Sequence, residues 1–167
     1  MAAPGDPAGY ELAYEAGLRA VEEQADLLRE TRDRAGSLMT AAAVAGALAA
    51  SLGLGDRAVD IDHAGGVGVV VAIVGFIAVA VTTVMVWWPV GGVFVHDAGV
   101  IVGSYVEGDP PLQLPEVHRE LALWLGKEAV SNRHLLTVKL RRFNVGLASL
   151  LTEIVGLAVV LGDVARG

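Results

Sequence analysis

This chain of 167 residues is poor in several residue types, and each scarcity excludes a class of protein. It has no cysteine, which excludes disulfides, thiol nucleophiles and cysteine-ligated zinc. Aromatic residues make up only 5% of the chain, too few for a large soluble aromatic core. The 12 basic residues are outnumbered by 19 acidic ones, and the net charge of −7 predicts no nucleic-acid binding, which needs a basic surface.

Catalytic and metal-binding motifs are also missing. The sequence has no glycine-rich phosphate loop, no zinc-protease helix motif and no nucleophile elbow. Its four histidines show no ligand spacing. The acidic segment Asp56–His63 lacks the closing glutamate of a calcium loop, which favours a solvated turn over a cation site. We therefore predict a protein that is not an enzyme and that uses no metal or cofactor.

Charge is almost absent from three long segments, and this decides the predicted fold class. Ala35–Gly55 and Ala64–Val95 contain no Asp, Glu, Lys or Arg, and Phe143–Gly162 contains only Glu153. A bilayer core about 30 Å thick is crossed by ~20 helical residues. We predict an all-α integral membrane protein with three transmembrane helices and two long cytoplasmic amphipathic helices. A rival interpretation inserts only the first two spans and packs the last helix against them.

The predicted organisation follows from these segments. In order, it consists of an unstructured N-terminus at 1–9, a cytoplasmic helix at 10–34, transmembrane helices at 35–55 and 66–88, a cytoplasmic segment at 90–142 with a long helix at 114–142, and a third transmembrane helix at 143–162. After Pro89, Asp97 could cap a short helix ending near Tyr105, although the same residues could form a strand. Heptad spacing from Tyr14 to Leu28 indicates either pairing with a partner helix or packing within the chain.

The basic residues predict the orientation in the membrane. Of the 12 lysines and arginines, only Arg57 and Arg166 fall on the side of the first loop and the C-terminus. The others precede the first span or lie between the second and third. Because cytoplasmic segments are enriched in lysine and arginine, we expect the N-terminus and residues 90–142 to be cytoplasmic in a bacterial inner membrane. Trp87 and Trp88 are typical of the membrane–water interface.

Three groups of residues are candidates for function. A stripe of small residues in the first span predicts close helix packing, and hence a homo-oligomer or tight internal packing: Ala41, Ala45, Ala49 and Gly46. Glu153 and Asn144, in the third span, could line a membrane pathway, or Glu153 could hydrogen-bond to Thr152, Thr82 or Thr83. A basic set could orient the chain on anionic lipid or bind an anionic ligand: Arg32, Arg34, Arg133, Lys139, Arg141 and Arg142.

The order of short sequence words resembles a known group of proteins. A charged Arg32-Asp-Arg-Ala-Gly step enters the first span, the second closes on Trp87-Trp-Pro, and Tyr105-Val-Glu-Gly-Asp-Pro precedes a helix that runs through Lys139 into the last span. This arrangement resembles the small bacterial membrane effectors of the Pycsar type and the related SLATT family. The resemblance implies an anti-phage protein that impairs the inner membrane when a cyclic nucleotide signals infection. The alternative is a non-enzymatic membrane scaffold that binds a partner through its cytoplasmic helices.

Overall fold

The computed structural model describes residues 6–53, 63–89, 91 and 98–166. Their regular elements are helices in the order α1 (Pro7–Gly53), α2 (His63–Trp87), α3 (Ala98–Ile101), a π-helical turn (Val102–Val106) and α4 (Leu114–Val164). No strand occurs among these described residues. The predicted all-α fold class is therefore confirmed.

Helix α1 is one uninterrupted element of 47 residues. The helix predicted for 10–34 and the span predicted from Ala35 onward are two parts of it. Its N-terminal half carries ion pairs one helical turn apart, such as Arg19 with Glu15 and Arg34 with Glu30. Its C-terminal half is rich in alanine, the best helix former. No proline or positive-φ glycine interrupts the junction between them, so the backbone continues through the change from charged to apolar sequence.

Helix α4 likewise joins the helix predicted for 114–142 to the span predicted for 143–162, and it is 51 residues long. Its start is defined by a reciprocal cap, because the Glu116 carboxylate accepts the backbone N–H of Gln113 at 2.9 Å while the Gln113 carbonyl accepts the N–H of Glu116. Pro115 stands in the first turn, where its missing N–H has no helical acceptor to lose.

The segment between α2 and α4 resolves the choice between a short helix and a strand. Ala98–Ile101 is α-helical and Val102–Val106 forms a π-helical turn that ends before Glu107. The proposed cap at Asp97 lies outside the described residues, as do the acidic positions 56–62. The cation-site alternative for that loop therefore stays a prediction.

The chain divides into two compact units. The first unit consists of Met1–Arg29 and Val90–Thr137, and the second of Glu30–Pro89 and Val138–Gly167. In the first unit, Val21 and Leu28 of α1 and Val117, Leu121 and Leu125 of α4 are buried. The Gln24 side chain donates a hydrogen bond to the Ala129 carbonyl at 2.9 Å, and the Tyr14 and His118 rings stack with centroids 5.3 Å apart.

The second unit is a three-helix arrangement built on a seven-residue repeat. Its buried positions recur every seven residues in each helix: Ala35, Ala42 and Ala49 in α1, Ala72, Val79 and Val86 in α2, and Lys139, Gly146, Glu153 and Val160 in α4. Such a repeat keeps one seam of each helix facing its neighbours. The core centres on Leu38, Ala42 and Val79.

Two helices are long and apolar enough to cross a membrane: Gly65–Trp87 and the apolar portion of Leu114–Val164. Only 33% and 22% of their most apolar windows are buried, whereas the core helix of a soluble protein is mostly buried. The first predicted span, 35–55, is not among the helices that meet this criterion within the described residues. The count of three spans therefore stays a prediction.

Candidate functional site

The second unit brings the α2 and α4 backbones into direct contact. A Cβ on Gly156 would lie 2.6 Å from the Ala72 nitrogen and 2.7 Å from the Gly68 carbonyl oxygen. A Cβ on Gly75 would lie 2.7 Å from the Glu153 nitrogen. Real side chains do not tolerate such distances, so only glycine permits this approach. Close contact between small residues is the main source of helix association in lipid, where no hydrophobic effect drives packing.

Glu153 lies at this crossing and is only 1% exposed. Its Oε2 atom is buried and has no hydrogen-bond partner. Its Oε1 lies 3.9 Å from the position a Cβ on Gly46 of α1 would occupy. The carboxyl group therefore sits among α1, α2 and α4 in the interior of the unit. A buried carboxylate without a cation beside it is costly, which favours the neutral acid at this position.

The three threonines proposed as partners of Glu153 bond elsewhere. The Thr82 hydroxyl donates to the Ala78 carbonyl at 2.8 Å, and the Thr83 hydroxyl lies 3.5 Å from the Ala35 carbonyl. The Thr152 hydroxyl donates to the carbonyl of Ala148 at 3.0 Å. Each hydroxyl thus satisfies a backbone acceptor, and the predicted interhelical bond to Glu153 is absent from these described residues.

A groove of about 390 Å³ opens beside Glu153. Its walls are apolar apart from Glu153, the one ionisable residue among them, and five of the residues are alanine or glycine: Ala43, Gly46, Ala49, Ala50, Val69, Ala72, Ile73, Phe76, Glu153, Leu157 and Val160. Of the predicted packing stripe, Ala49 is buried, Ala45 and Gly46 are half-buried, and Ala41 is exposed. The inward side of α1 is therefore centred on Ala42 and Ala49, with Gly46 beside them.

Lys139 caps the C-terminal end of α2. Its Nζ donates to the carbonyls of Met85, Val86 and Trp88 at 3.1, 2.7 and 2.7 Å, and the residue is only 2% exposed. The last carbonyl groups of a helix accept no hydrogen bond within the helix, and they form the negative end of the helix dipole. One ammonium group thus satisfies two of them, those of Met85 and Val86, together with the carbonyl of Trp88 that follows the helix. All three of its donors are used, so Lys139 has no donor left for a ligand.

Two arginines accompany this cap. Arg142 donates to the Met85 carbonyl at 3.3 Å, and the carbonyl of Arg32 accepts the indole N–H of Trp87 at 3.0 Å. Burial lowers the pKa of Lys139 from its ordinary value, and the positive charges of Arg32 and Arg142 lower it further. The Nε of Arg32 is buried without a partner. This cluster therefore concentrates positive charge where α2 ends.

The remaining basic candidates are placed differently. Arg34 is exposed and forms an ion pair with Glu30 at 2.6 Å. Arg141 is exposed in the second unit, and Arg133 is exposed in the first. Asn144 is exposed on α4, one residue after the start of the predicted third span. Of the predicted basic set, Arg32, Arg141 and Arg142 therefore lie in the second unit without an ion pair among the described residues.

The first unit has a cavity of its own, of about 540 Å³. Two aromatic side chains and several aliphatic ones line it, and charged groups stand among them: Tyr14, Leu18, Val21, Glu22, Ala25, Asp26, Arg29, Ile101, Leu121, Trp124 and Leu125. Arg29 is paired with Asp26 at 2.7 Å. Two carboxylates against one paired arginine make this cavity unfavourable for an anion. The heptad spacing from Tyr14 to Leu28 predicts the apolar residues that α1 contributes to this lining, but not the contribution of Ile101.

The described residues contain no group of three or more histidine, aspartate or glutamate side chains that could hold a metal ion. Comparisons with protein-family models, with curated proteins and with solved structures found no match to this chain. The resemblance to Pycsar-type and SLATT effectors stays a hypothesis carried by the sequence words alone.

Proposed function

We propose that this protein is an anti-phage effector that acts in the bacterial inner membrane, with its N-terminus in the cytoplasm. A cyclic-nucleotide signal triggers it to impair the membrane, and it acts by helix association rather than by catalysis. The proposal combines the sequence resemblance with the architecture of the second unit.

The observation that supports membrane action is the apolar exterior of the second unit, which surrounds an interior of both apolar and polar side chains. Its buried positions include Lys139, Glu153, Thr82 and Thr83. Its exposed positions include long rows of large aliphatic side chains, among them Val70, Val74, Ile77, Val81 and Val84 in α2 and Val145, Leu151, Val155 and Val159 in α4. Water would penalise such a surface, whereas hydrocarbon would not.

The groove beside Glu153 supports an action that changes the membrane. A carboxyl group held in the bundle interior marks ion or proton pathways in many membrane proteins. In the resting state that we propose, the α2–α4 glycine crossing keeps Glu153 enclosed. Association of several copies would open this crossing and expose the carboxyl group to water, which then creates a leak.

The trigger would bind through the basic residues at the end of α2. Arg32 and Arg142 lie beside the Lys139 cap, and Arg141 is exposed on the same stretch of α4. Guanidinium groups are well suited to phosphate. Lys139 itself is excluded from this role because its three donors are bound to carbonyls.

A second candidate function is favoured by the cavity of the first unit. Its aromatic and aliphatic lining with charged groups among them matches the groove that accepts an amphipathic helix. A scaffold that captures a partner helix at Tyr14, Leu18 and Trp124 would use this cavity and would need no leak.

The deciding experiment is dye release from liposomes that contain the purified protein, with and without cyclic CMP or cyclic UMP. Flotation with the vesicles first establishes insertion. The effector proposal predicts release that requires a nucleotide and is weakened by Arg142→Gln, with Lys127→Gln as the control for a lost charge. Inserted protein that releases no dye under any condition would contradict it and favour the scaffold.

A further inference from the structure

The groove beside Glu153 combines apolar walls with a single carboxyl group, which is the composition of a small-molecule site. We propose that it binds a neutral, membrane-soluble compound that has an apolar body and one hydroxyl or carbonyl group, which hydrogen-bonds to the Glu153 carboxyl. This inference rests on the membrane location proposed above but not on the leak or on the nucleotide trigger.

The size and lining of the groove support this class of ligand. Its volume of about 390 Å³ falls within the ~300–1,000 Å³ of typical ligand pockets. Such pockets are predominantly apolar, with a few polar groups that fix the orientation of the ligand. Here the apolar part includes Ile73, Phe76 and Leu157, and the polar group is Glu153.

The carboxyl group of Glu153, which has no hydrogen bond, favours a small ligand over a second helix as the occupant of the groove. No hydrogen bond to the Glu153 side chain occurs among the described residues, and its Oε1 lies 3.9 Å from where a Cβ on the groove residue Gly46 would stand. A ligand that bonded to Oε1 would therefore displace no existing bond. A second copy of a helix would bring apolar side chains and a backbone whose polar groups are already bonded. It would leave the Glu153 carboxyl group without a hydrogen bond. The unmet hydrogen bond therefore favours a ligand with a polar group of its own.

Small side chains line the approach from the groove to the Glu153 carboxyl group. A Cβ built on Gly46 would lie 3.9 Å from Oε1 of Glu153. Ala43 and Ala50, which also line the groove, lie one turn before and one turn after Gly46 along α1. These positions leave space that larger residues would fill. A Val at position 46 would place methyl groups between the groove and the carboxyl, whereas Ala47 is exposed and does not line the groove.

The test uses dicyclohexylcarbodiimide, an apolar reagent for carboxylic acids, on the full chain in phospholipid vesicles. The Glu153 proton transfers to one carbodiimide nitrogen and the carboxyl oxygen bonds to the central carbon. The resulting O-acylisourea rearranges to a stable N-acylurea with no leaving group. Peptide mass spectrometry should find the adduct on Glu153 and not in Glu153→Gln. A water-soluble carbodiimide should not modify it.

Two matched pairs then test the site. Gly46→Val should lower labelling roughly tenfold, which corresponds to about 1.4 kcal/mol of lost access, while Ala47→Val should not. Dodecanol in the vesicles should protect Glu153, and dodecane, which lacks the hydroxyl, should not. The proposal is overturned if Glu153 stays unlabelled in floated protein, if Gly46→Val has no effect, or if dodecane protects equally. Labelling that falls as the protein-to-lipid ratio rises would also overturn it, since a second copy would then fill the groove.

Discussion

In the first unit the buried side chains are aliphatic apart from Asn132, and the charged side chains of α1 face outward. In the second unit lysine, glutamate and threonine are among the buried side chains, and many valine and isoleucine side chains face outward. Both units use the same helices α1 and α4 and the same seven-residue spacing. The repeat therefore determines which positions face a neighbouring helix. The side chains at the other positions indicate whether that part of the protein is surrounded by water or by hydrocarbon. Water suits the exterior of the first unit and hydrocarbon suits that of the second.

The largest expected effect tests this difference at two matched positions. Val74 of the second unit and Leu123 of the first are each 59% exposed. Val74→Asp should destabilise the protein in lipid by about 2.5–3.5 kcal/mol, the cost of an aspartate in the hydrocarbon. Leu123→Asp should change stability by no more than about 0.5 kcal/mol, as for a surface change in water. Unfolding by denaturant in lipid bicelles measures the stability of both variants, and equal losses would contradict the difference between the exteriors of the two units.

The next effect concerns the glycine crossing of α2 and α4. Gly156→Ala should destabilise the second unit by about 1–3 kcal/mol, because the added Cβ meets backbone atoms of Gly68 and Ala72 that cannot move independently. Gly162→Ala is the control in the same helix, since a Cβ there meets no atom within 4 Å. It should stabilise the helix by up to about 1 kcal/mol. Opposite signs in the same unfolding assay are expected, and a neutral Gly156→Ala would contradict the close packing.

The Lys139 cap should give an effect of about 2 kcal/mol. Lys139→Met keeps the length of the side chain but leaves the carbonyls of Met85, Val86 and Trp88 without their charged donor, and a hydrogen bond to a charged group contributes about 1.5–3 kcal/mol. Lys127→Met, at an exposed position of α4, should have little effect. Amide hydrogen exchange should show faster exchange near the end of α2 only in the first variant. Similar protection in both would argue against the cap.

The smallest expected effect comes from a single hydrogen bond. Trp87→Phe removes the indole N–H that donates to the Arg32 carbonyl at 3.0 Å, and should cost about 0.5–1.5 kcal/mol. Trp88→Phe removes a neighbouring exposed indole and is the matched control. Denaturant midpoints compare the two. A larger loss for Trp88→Phe would show that interface anchoring outweighs the bond between α1 and α2.

Much of the fold could be predicted because apolar periodicity and the absence of charge are local properties of the sequence. The heptad positions Val21 and Leu28 are buried, and the helical pattern after Leu114 is a helix. The roles of single residues required the third dimension. The sequence groups Lys139 with the basic set because spacing along α4 does not reveal the carbonyls of α2 beside it. The contact of Gly156 with Gly68 joins residues 88 positions apart. Glu153 can be recognised from the sequence alone, since a lone carboxyl group in an apolar run is conspicuous.

The most direct test of the apolar exterior of the second unit uses spin labels in this cysteine-free chain. Val74→Cys and Leu123→Cys are labelled separately, and the protein is reconstituted in vesicles. Collision with oxygen, which concentrates in hydrocarbon, and with a water-soluble nickel chelate is then measured for each. The label at position 74 should collide with oxygen and be shielded from nickel, and the label at 123 should show the reverse. A label at position 74 that is as accessible to nickel as the one at 123 would contradict the account.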